Sequence, residues 1–256
     1  MAMTQEEALQ RAYYTNTAAN YDADHVDQEP EHNLALSYIS AMLKPLSIKS
    51  VLDVGCGTGR GVEQLRRDDP SLKVFGIDPV EALLKRAVAK GTPAAALIKG
   101  DACFLPFPDR SFDATVTLGV LHHVPRPEPV VRELMRVARK AVFISDGNIF
   151  GNGTKGGRVL KYLVYKAGLW NVAKIIQTRG RGYTITEGDG LAYSYSVYFQ
   201  YEMLSNWASR VFLIPLMRDS RVIGLPPFDA RCVLVGAVRD SDKIEGVNSA
   251  GSLLNR

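Results

Sequence analysis

The chain predicts an α/β fold, a doubly wound and mostly parallel sheet with helices on both faces. Three observations carry this. Short apolar runs alternate with helical stretches from Ser50 to Ser145, the first run leads into a glycine-rich loop that opens a helix, and acids stand at the ends of the first two runs, Asp53 and Asp78. Strand and helix alternating at short intervals give right-handed βαβ units, and so parallel strands covered on both sides.

The elements follow in order. Residues 5–44 read as helical, with a loop around Asp22–Glu31. Val51–Val54 is a short apolar run, followed by glycines and a helical stretch to Arg67. Lys73–Ile77 is the second strand, Pro79–Lys90 a helix, and Ala95–Lys99 the third strand. Turn chemistry over Pro106–Ser111 precedes the fourth strand, Phe112–Leu118. Pro127–Ala138 is helical and Lys140–Ser145 is the fifth strand. The rhythm then breaks over Gly147–Gln200, and two final strands are expected at Arg210–Pro215 and Cys232–Val238.

The bulk numbers fit one globular domain. The 256 residues are 46% hydrophobic and 23% charged, with a net charge of +4, too small to argue for nucleic acid. Cys56, Cys103 and Cys232 are odd in number and widely spaced, which argues against a disulfide framework and against zinc; no metal is expected. The polar N-terminus does not read as a signal peptide and no apolar run reaches spanning length, so a cytoplasmic location is expected.

The stretch V-L-D-V-G-C-G-T-G-R-G, residues 51–61, asks what it holds. A dinucleotide fingerprint needs Gly-x-Gly-x-x-Gly, and Arg60 or Val62 occupies the third position in the two registers. A P-loop needs Gly-Lys-Ser/Thr, and Gly59 is followed by Arg60. Asp53, two positions before Gly55, suits an ammonium group. Gly55, Gly57 and Gly59 allow close backbone approach, and the following helix start suits a carboxylate. Asp78 stands about 20 residues on, where an acid binds ribose hydroxyls. The ligand therefore reads as an amino acid joined to a nucleoside, which describes S-adenosylmethionine.

With G-I-D-P (76–79), G-D-A-C-F-L-P-F-P-D-R-S-F-D (100–113) and L-G-V-L-H-H-V (118–124), the chain resembles the class I S-adenosylmethionine-dependent methyltransferases over about residues 13–145. The branch it resembles includes the ubiquinone and menaquinone biosynthesis methyltransferases. The resemblance implies a Rossmann-like sheet of seven strands, the last antiparallel, with a lid insertion before the final two. It implies that Asp53 and the Gly55–Gly59 loop, Cys56 included as a small filler, hold the methionine end. Asp78 would hold the ribose with Pro79 beside it, Asp101 would face the adenine amino group, and Ala102 would pack near the ring. Leu118 and Gly119 would lie under the sulfonium, with Tyr21 of an N-terminal lid, and Tyr13 or Tyr14, nearby. The chain then divides into a lid (1–45), a cofactor core (50–146), an acceptor lid (147–205), the final strands (206–240) and a flexible tail (241–256).

His122 and His123 are the candidates for a base that takes a proton from an acceptor, although alignment of a nucleophilic acceptor can suffice. Between Gly147 and Thr186 there is no acid but seven cations, among them Lys155, Arg158, Arg179 and Arg181, and Leu160, Leu163, Val164, Ala167 and Ile175 fall near helical spacing. A basic amphipathic segment could draw in an anionic acceptor, or rest on a membrane surface. Tyr193 and Tyr195 alternate as on an edge strand over Leu191–Tyr201 and could line an acceptor pocket. The acceptor is expected to be a small molecule, anionic or linked to a lipid or sugar. A cofactor-binding module without catalysis, or a nicotinamide-dependent oxidoreductase, is the alternative.

Overall fold

The computed structural model describes residues 4–240 apart from 28, 187, 217–227 and 229. The tail at 241–256, expected to be flexible, lies outside the described residues.

Helix α1 (Gln5–Thr17) starts on a capping box: the Thr4 hydroxyl accepts from the Glu7 amide, and the Glu7 carboxylate accepts from the Thr4 amide. A single wide turn at Asp22–Val26 leads to α2 (Pro30–Leu43). The βαβ rhythm follows: β1 (Ser50–Val54), α3 (Arg60–Asp68), β2 (Lys73–Asp78), α4 (Glu81–Ala89), β3 (Leu97–Lys99), β4 (Phe112–Leu118), α5 (Pro127–Val137) and β5 (Ala138–Gly147). The insertion holds α6 (Lys155–Lys166), α7 (Trp170–Gln177), a hairpin of β6 (Tyr183–Thr186) and β7 (Gly190–Tyr193), and α8 (Tyr201–Trp207). Strands β8 (Arg210–Pro215) and β9 (Cys232–Val238) complete the main sheet.

That sheet has seven strands in the order β3-β2-β1-β4-β5-β9-β8. All neighbours pair parallel except β9, which runs antiparallel to both β5 and β8. The expected sheet, with its antiparallel last strand, is therefore present. The order reverses between β1 and β4, and that switch point puts the crevice of a doubly wound sheet at the strands' carboxyl ends.

Strand alternation sends neighbouring residues to opposite layers. Val51, Val116 and Phe143 pack with Leu36, Ile39 and Leu65 under α2 and α3, while Leu52, Val142 and Ile144 pack with Val130, Leu134 and Leu204 under α5 and α8. Each such side chain, fully buried, contributes roughly 1.5–3 kcal/mol.

Four expectations need adjustment. The third strand is shorter, because Ala94–Ala96 forms a tight helical turn after Pro93. The fifth is longer, because it pairs with β9 as far as Gly147 opposite Cys232. The single amphipathic helix is two helices, separated at Gly168, whose φ of 73° ends a right-handed helix. Finally, Leu191–Tyr201 is not one edge strand. Gly190–Tyr193 pairs with β6, Ser196 forms a lone antiparallel bridge with Asn148, and Ser196 then caps a helical turn at Val197–Gln200.

Candidate functional site

A cavity opens at the carboxyl ends of the strands and is closed from above by α1. Its walls include Gly55, Asp78, Pro79, Asp101, Ala102, Leu118 and Gly119 from the core, with Tyr14, Tyr21 and His123 around the rim. These expected residues come from segments far apart in sequence and meet in one place. Glu7, Gln10, Arg11 and Tyr14 line the same cavity. With the expected Tyr14 they fall at i, i+3, i+4 and i+7, so a polar stripe on one face of α1 was the signal that could have found Glu7, Gln10 and Arg11.

The glycine loop shows why its spacing matters. Gly55, Gly57 and Gly59 have φ of 75°, 54° and 84°, the left-handed region. A Cβ on Gly57 would lie 3.1 Å from the Tyr21 hydroxyl, so that ring sits directly over the loop. The Gly57 amide donates to the Asp78 carboxylate at 2.9 Å, and the Val80 amide donates to its other oxygen at 2.8 Å. Burial pushes the Asp78 carboxyl up to about 6.

Asp53 does not line the cavity. It is 2% exposed, lies beneath the loop against Gly61, and is pushed up to about 7, first by burial. Its expected direct grip on an ammonium group is corrected to a place under the loop, where the Val62 amide supports its ionised form. Cys56 is also buried, with its sulfur packed on Gly76. Burial raises its thiol well above the ordinary value, in keeping with filler and not nucleophile. Arg60, just after the loop, has a buried Nη1 without a hydrogen-bond partner, while its Nη2 lies 3.6 Å from Glu29. An unmatched guanidinium nitrogen, beside glycines that leave room for a ligand, fits the carboxylate end of an amino-acid cofactor. Asp101 is engaged already: Arg11 of α1 donates to it at 2.6 Å and the Cys103 amide at 2.8 Å.

The two histidines differ. His123 Nδ1 lies 2.7 Å from the Leu191 carbonyl oxygen and 3.1 Å from Gln10 Nε2, and its Nε2 lies 2.9 Å from the Tyr14 hydroxyl and 3.3 Å from Asp189. His122 lies between two carboxylates, Asp146 at 2.7 Å from Nδ1 and Asp189 at 3.4 Å from Nε2. Burial pulls its pKa down, but the two acids outweigh that and raise it to about 10. An imidazolium cannot take a proton at neutral pH, so the expectation that His122 serves as a base is corrected. Asp189, in the β6–β7 turn, was not anticipated. Nothing local marks it, because its partners lie over 60 residues away.

In the insertion, Arg158 is also corrected. It is 6% exposed, and its guanidinium donates to the Gly153 and Phe228 carbonyls, so it braces the insertion and faces no acceptor. Lys155, Arg179 and Arg181 are exposed. Tyr193 and Tyr195 line a second cavity of about 550 Å³ with Tyr165, Trp170, Lys174 and Phe199. It shares Val124 and Pro125 with the first, so the two adjoin. The Tyr195 hydroxyl is buried there without a hydrogen-bond partner.

With a glycine loop, an acid ending β2 and a closing helix in place, comparison with known proteins becomes informative. Residues 52–144 match the family model described as a methyltransferase domain. That stretch, from β1 to β5, is similar to a methyltransferase domain. Demethylmenaquinone methyltransferase of Geobacillus stearothermophilus is 33% identical over 54% of this chain and 62% of its own length. Fatty-acid O-methyltransferase of Mycolicibacterium smegmatis is 31% identical over 44% of this chain and 42% of its own. The chain thus spans about half the length of the curated relatives it matches. Among solved structures, magnesium protoporphyrin IX methyltransferase of Synechocystis PCC 6803, with bound SAH, superposes with a TM-score of 0.59 at 18% identity, covering 91% of this chain and all of that one. That likeness is one of fold, and it covers more of the chain than residues 52–144.

Proposed function

We propose that the protein moves a methyl group from S-adenosylmethionine to a small acceptor carrying a lipid or another largely apolar portion, with an anionic group where the cations of the insertion meet it. The carrying observation is the pair of adjoining cavities. One is lined by Gly55 of the loop and by Asp78, with the unmatched Arg60 guanidinium just after the loop; the other has aromatic walls with Lys174, Arg126 and Glu128. Aromatic walls with charged groups at their edge suit an apolar body that ends in a polar or charged head.

Bound in the first cavity, the cofactor supplies a sulfonium methyl. The chain's own residues bind and align. Asp78 offers two carboxylate oxygens to ribose hydroxyls, and Arg60 offers Nη1 to the methionine carboxylate. Tyr21 covers the loop and α1 keeps water out. Val124 and Pro125 bring the acceptor's nucleophile to the shared wall beside Leu118 and Gly119. There the acceptor's lone pair would take the methyl, with the carbon–sulfur electron pair left on the cofactor's sulfur. His123, at this rim, stands where a base would receive the proton that an acceptor releases.

Two further facts support an apolar acceptor. Leu160, Leu163, Leu169, Val172, Ile175 and Ile176 are more than half exposed on α6 and α7, among Lys155, Lys166 and Lys174, a pattern suited to an anionic bilayer. The relatives include enzymes named for demethylmenaquinone and fatty-acid acceptors. Among the described residues no helix is long and apolar enough to cross a membrane.

The test is an acceptor screen read by S-adenosylhomocysteine release, with lipid-linked, phosphorylated and water-soluble candidates in parallel arms. Turnover confined to water-soluble acceptors refutes the acceptor class. Heat released on titration with NAD and not with S-adenosylmethionine refutes the cofactor.

A further inference from the structure

We infer that His122, His123 and Asp189 form a divalent-cation site that joins the β6–β7 turn to the core beside the proposed methyl-transfer cavity. The inference does not depend on methyl transfer. Among the described residues these three are the group whose ligating atoms come together, all lying within 4.8 Å of one another.

The geometry sets both imidazole Nε2 atoms against one carboxylate, each beside a different oxygen. His122 Nε2 stands 3.4 Å from Asp189 Oδ2, and His123 Nε2 stands 3.3 Å from Asp189 Oδ1. Two ligand atoms each about 2.1 Å from a cation, at angles between square and tetrahedral, are roughly 3.0–3.4 Å apart. Both rings also have their far nitrogen fixed. His122 Nδ1 donates to the fully buried Asp146 at 2.7 Å, and His123 Nδ1 lies 2.7 Å from the Leu191 carbonyl oxygen. A histidine that ligates a metal is held in this way, with its second N–H on a carboxylate or a backbone carbonyl. Asp146 is fixed in turn by the amides of Leu121 and Gly147, at 2.8 and 2.6 Å.

The electrostatics agree. His123 Nε2 stands 3.3 Å from one Asp189 oxygen and His122 Nε2 stands 3.4 Å from the other, so the carboxylate lies against both rings. The Tyr14 hydroxyl, 2.9 Å from His123 Nε2 and 3.5 Å from Asp189 Oδ1, has one hydrogen for both. Asp146 and Asp189 place two carboxylates against the His122 ring, charge that a dication would meet on displacing the ring's proton. With two imidazoles and one carboxylate, the donor set favours a transition-type ion such as zinc, cobalt or manganese over calcium or magnesium. Three protein ligands leave a position open, and His123 faces the cavity, so an acceptor oxygen can occupy it.

The experiment uses the untagged full chain, stripped by a chelator and titrated with Co²⁺ alone. Isothermal titration reads stoichiometry and visible absorption reads coordination. The expected result is one Co²⁺ per chain with a d–d band, at least tenfold weaker binding in Asp189→Asn, and a Tm rise with Co²⁺ in the parent that the variant lacks. Asp146→Asn, which frees the His122 ring, is expected to weaken binding about 10–100-fold. Absence of Co²⁺ uptake by the parent overturns the site. So does equal affinity in parent and Asp189→Asn, because the ion would then sit elsewhere. Circular dichroism of the variants confirms folding. These readouts involve neither cofactor nor acceptor, so the site and the methyl-transfer reading can fail separately.

Discussion

Asp53→Asn is a direct probe of the glycine loop. The carboxyl lies beneath the loop, 2% exposed, and burial moves it from 3.8 to about 7. A carboxyl with a raised folded pKa holds its proton more tightly when folded. Its contribution to stability is complete below its unfolded value near 3.8 and is lost as pH rises through 7. At about 1.36 kcal/mol per unit, the full loss is at most about 4 kcal/mol, of which roughly a third has gone by pH 5. Asparagine keeps an acceptor for the Val62 amide and does not titrate. Its two N–H groups must find partners near Gly61, which costs about 1–3 kcal/mol if they do not, but equally at every pH. The absolute change can therefore take either sign, whereas its pH dependence cannot. Urea denaturation at pH 5 and pH 8 is the assay. Relative to the parent, the variant gains about 2–3 kcal/mol on going from pH 5 to pH 8. A difference within about 0.5 kcal/mol at the two pH values refutes the claim that a buried carboxylate under the loop destabilises the ligand-free protein.

Other perturbations read other parts of the molecule. His32 is 5% exposed, and burial, with Arg60 nearby, lowers its pKa to about 4. Stability from the neutral ring is complete above 6.5 and lost toward pH 4, by up to about 3 kcal/mol, and His32→Gln flattens that slope in denaturation melts. Gly57→Ala places a methyl at φ 54° and 3.1 Å from Tyr21; cofactor affinity by titration falls at least tenfold, with about 1–2 kcal/mol of stability lost. Gly236→Ala forces a Cβ to 2.0 Å from the Phe212 ring in the final strands and lowers Tm by a loss of about 1–3 kcal/mol, with cofactor affinity kept. Trp170→Ala, in the second cavity, raises acceptor KM and leaves cofactor Kd unchanged; a change confined to the cofactor Kd contradicts the division between cavities.

The sequence by itself determined the sheet and the loop. Their signals are local: apolar runs of strand length, glycines where the chain must take positive φ at Gly55, Gly57 and Gly59, and acids at the ends of β1 and β2. Local steric and solvation rules act on neighbours in the chain, so a reader of neighbours can apply them. Tertiary structure alone decided what those side chains meet. Two acids that look alike in sequence part company, Asp78 lining the cavity and Asp53 lying beneath the loop. Arg158 and Arg179 belong to one basic stretch, yet one is buried on backbone carbonyls and the other is exposed. Asp189 reaches His122 and His123 only because the β6–β7 turn folds back over the core. Such meetings are set by packing between segments that share no local rule, and a charge pattern along the chain does not encode which face of the fold each charge will reach.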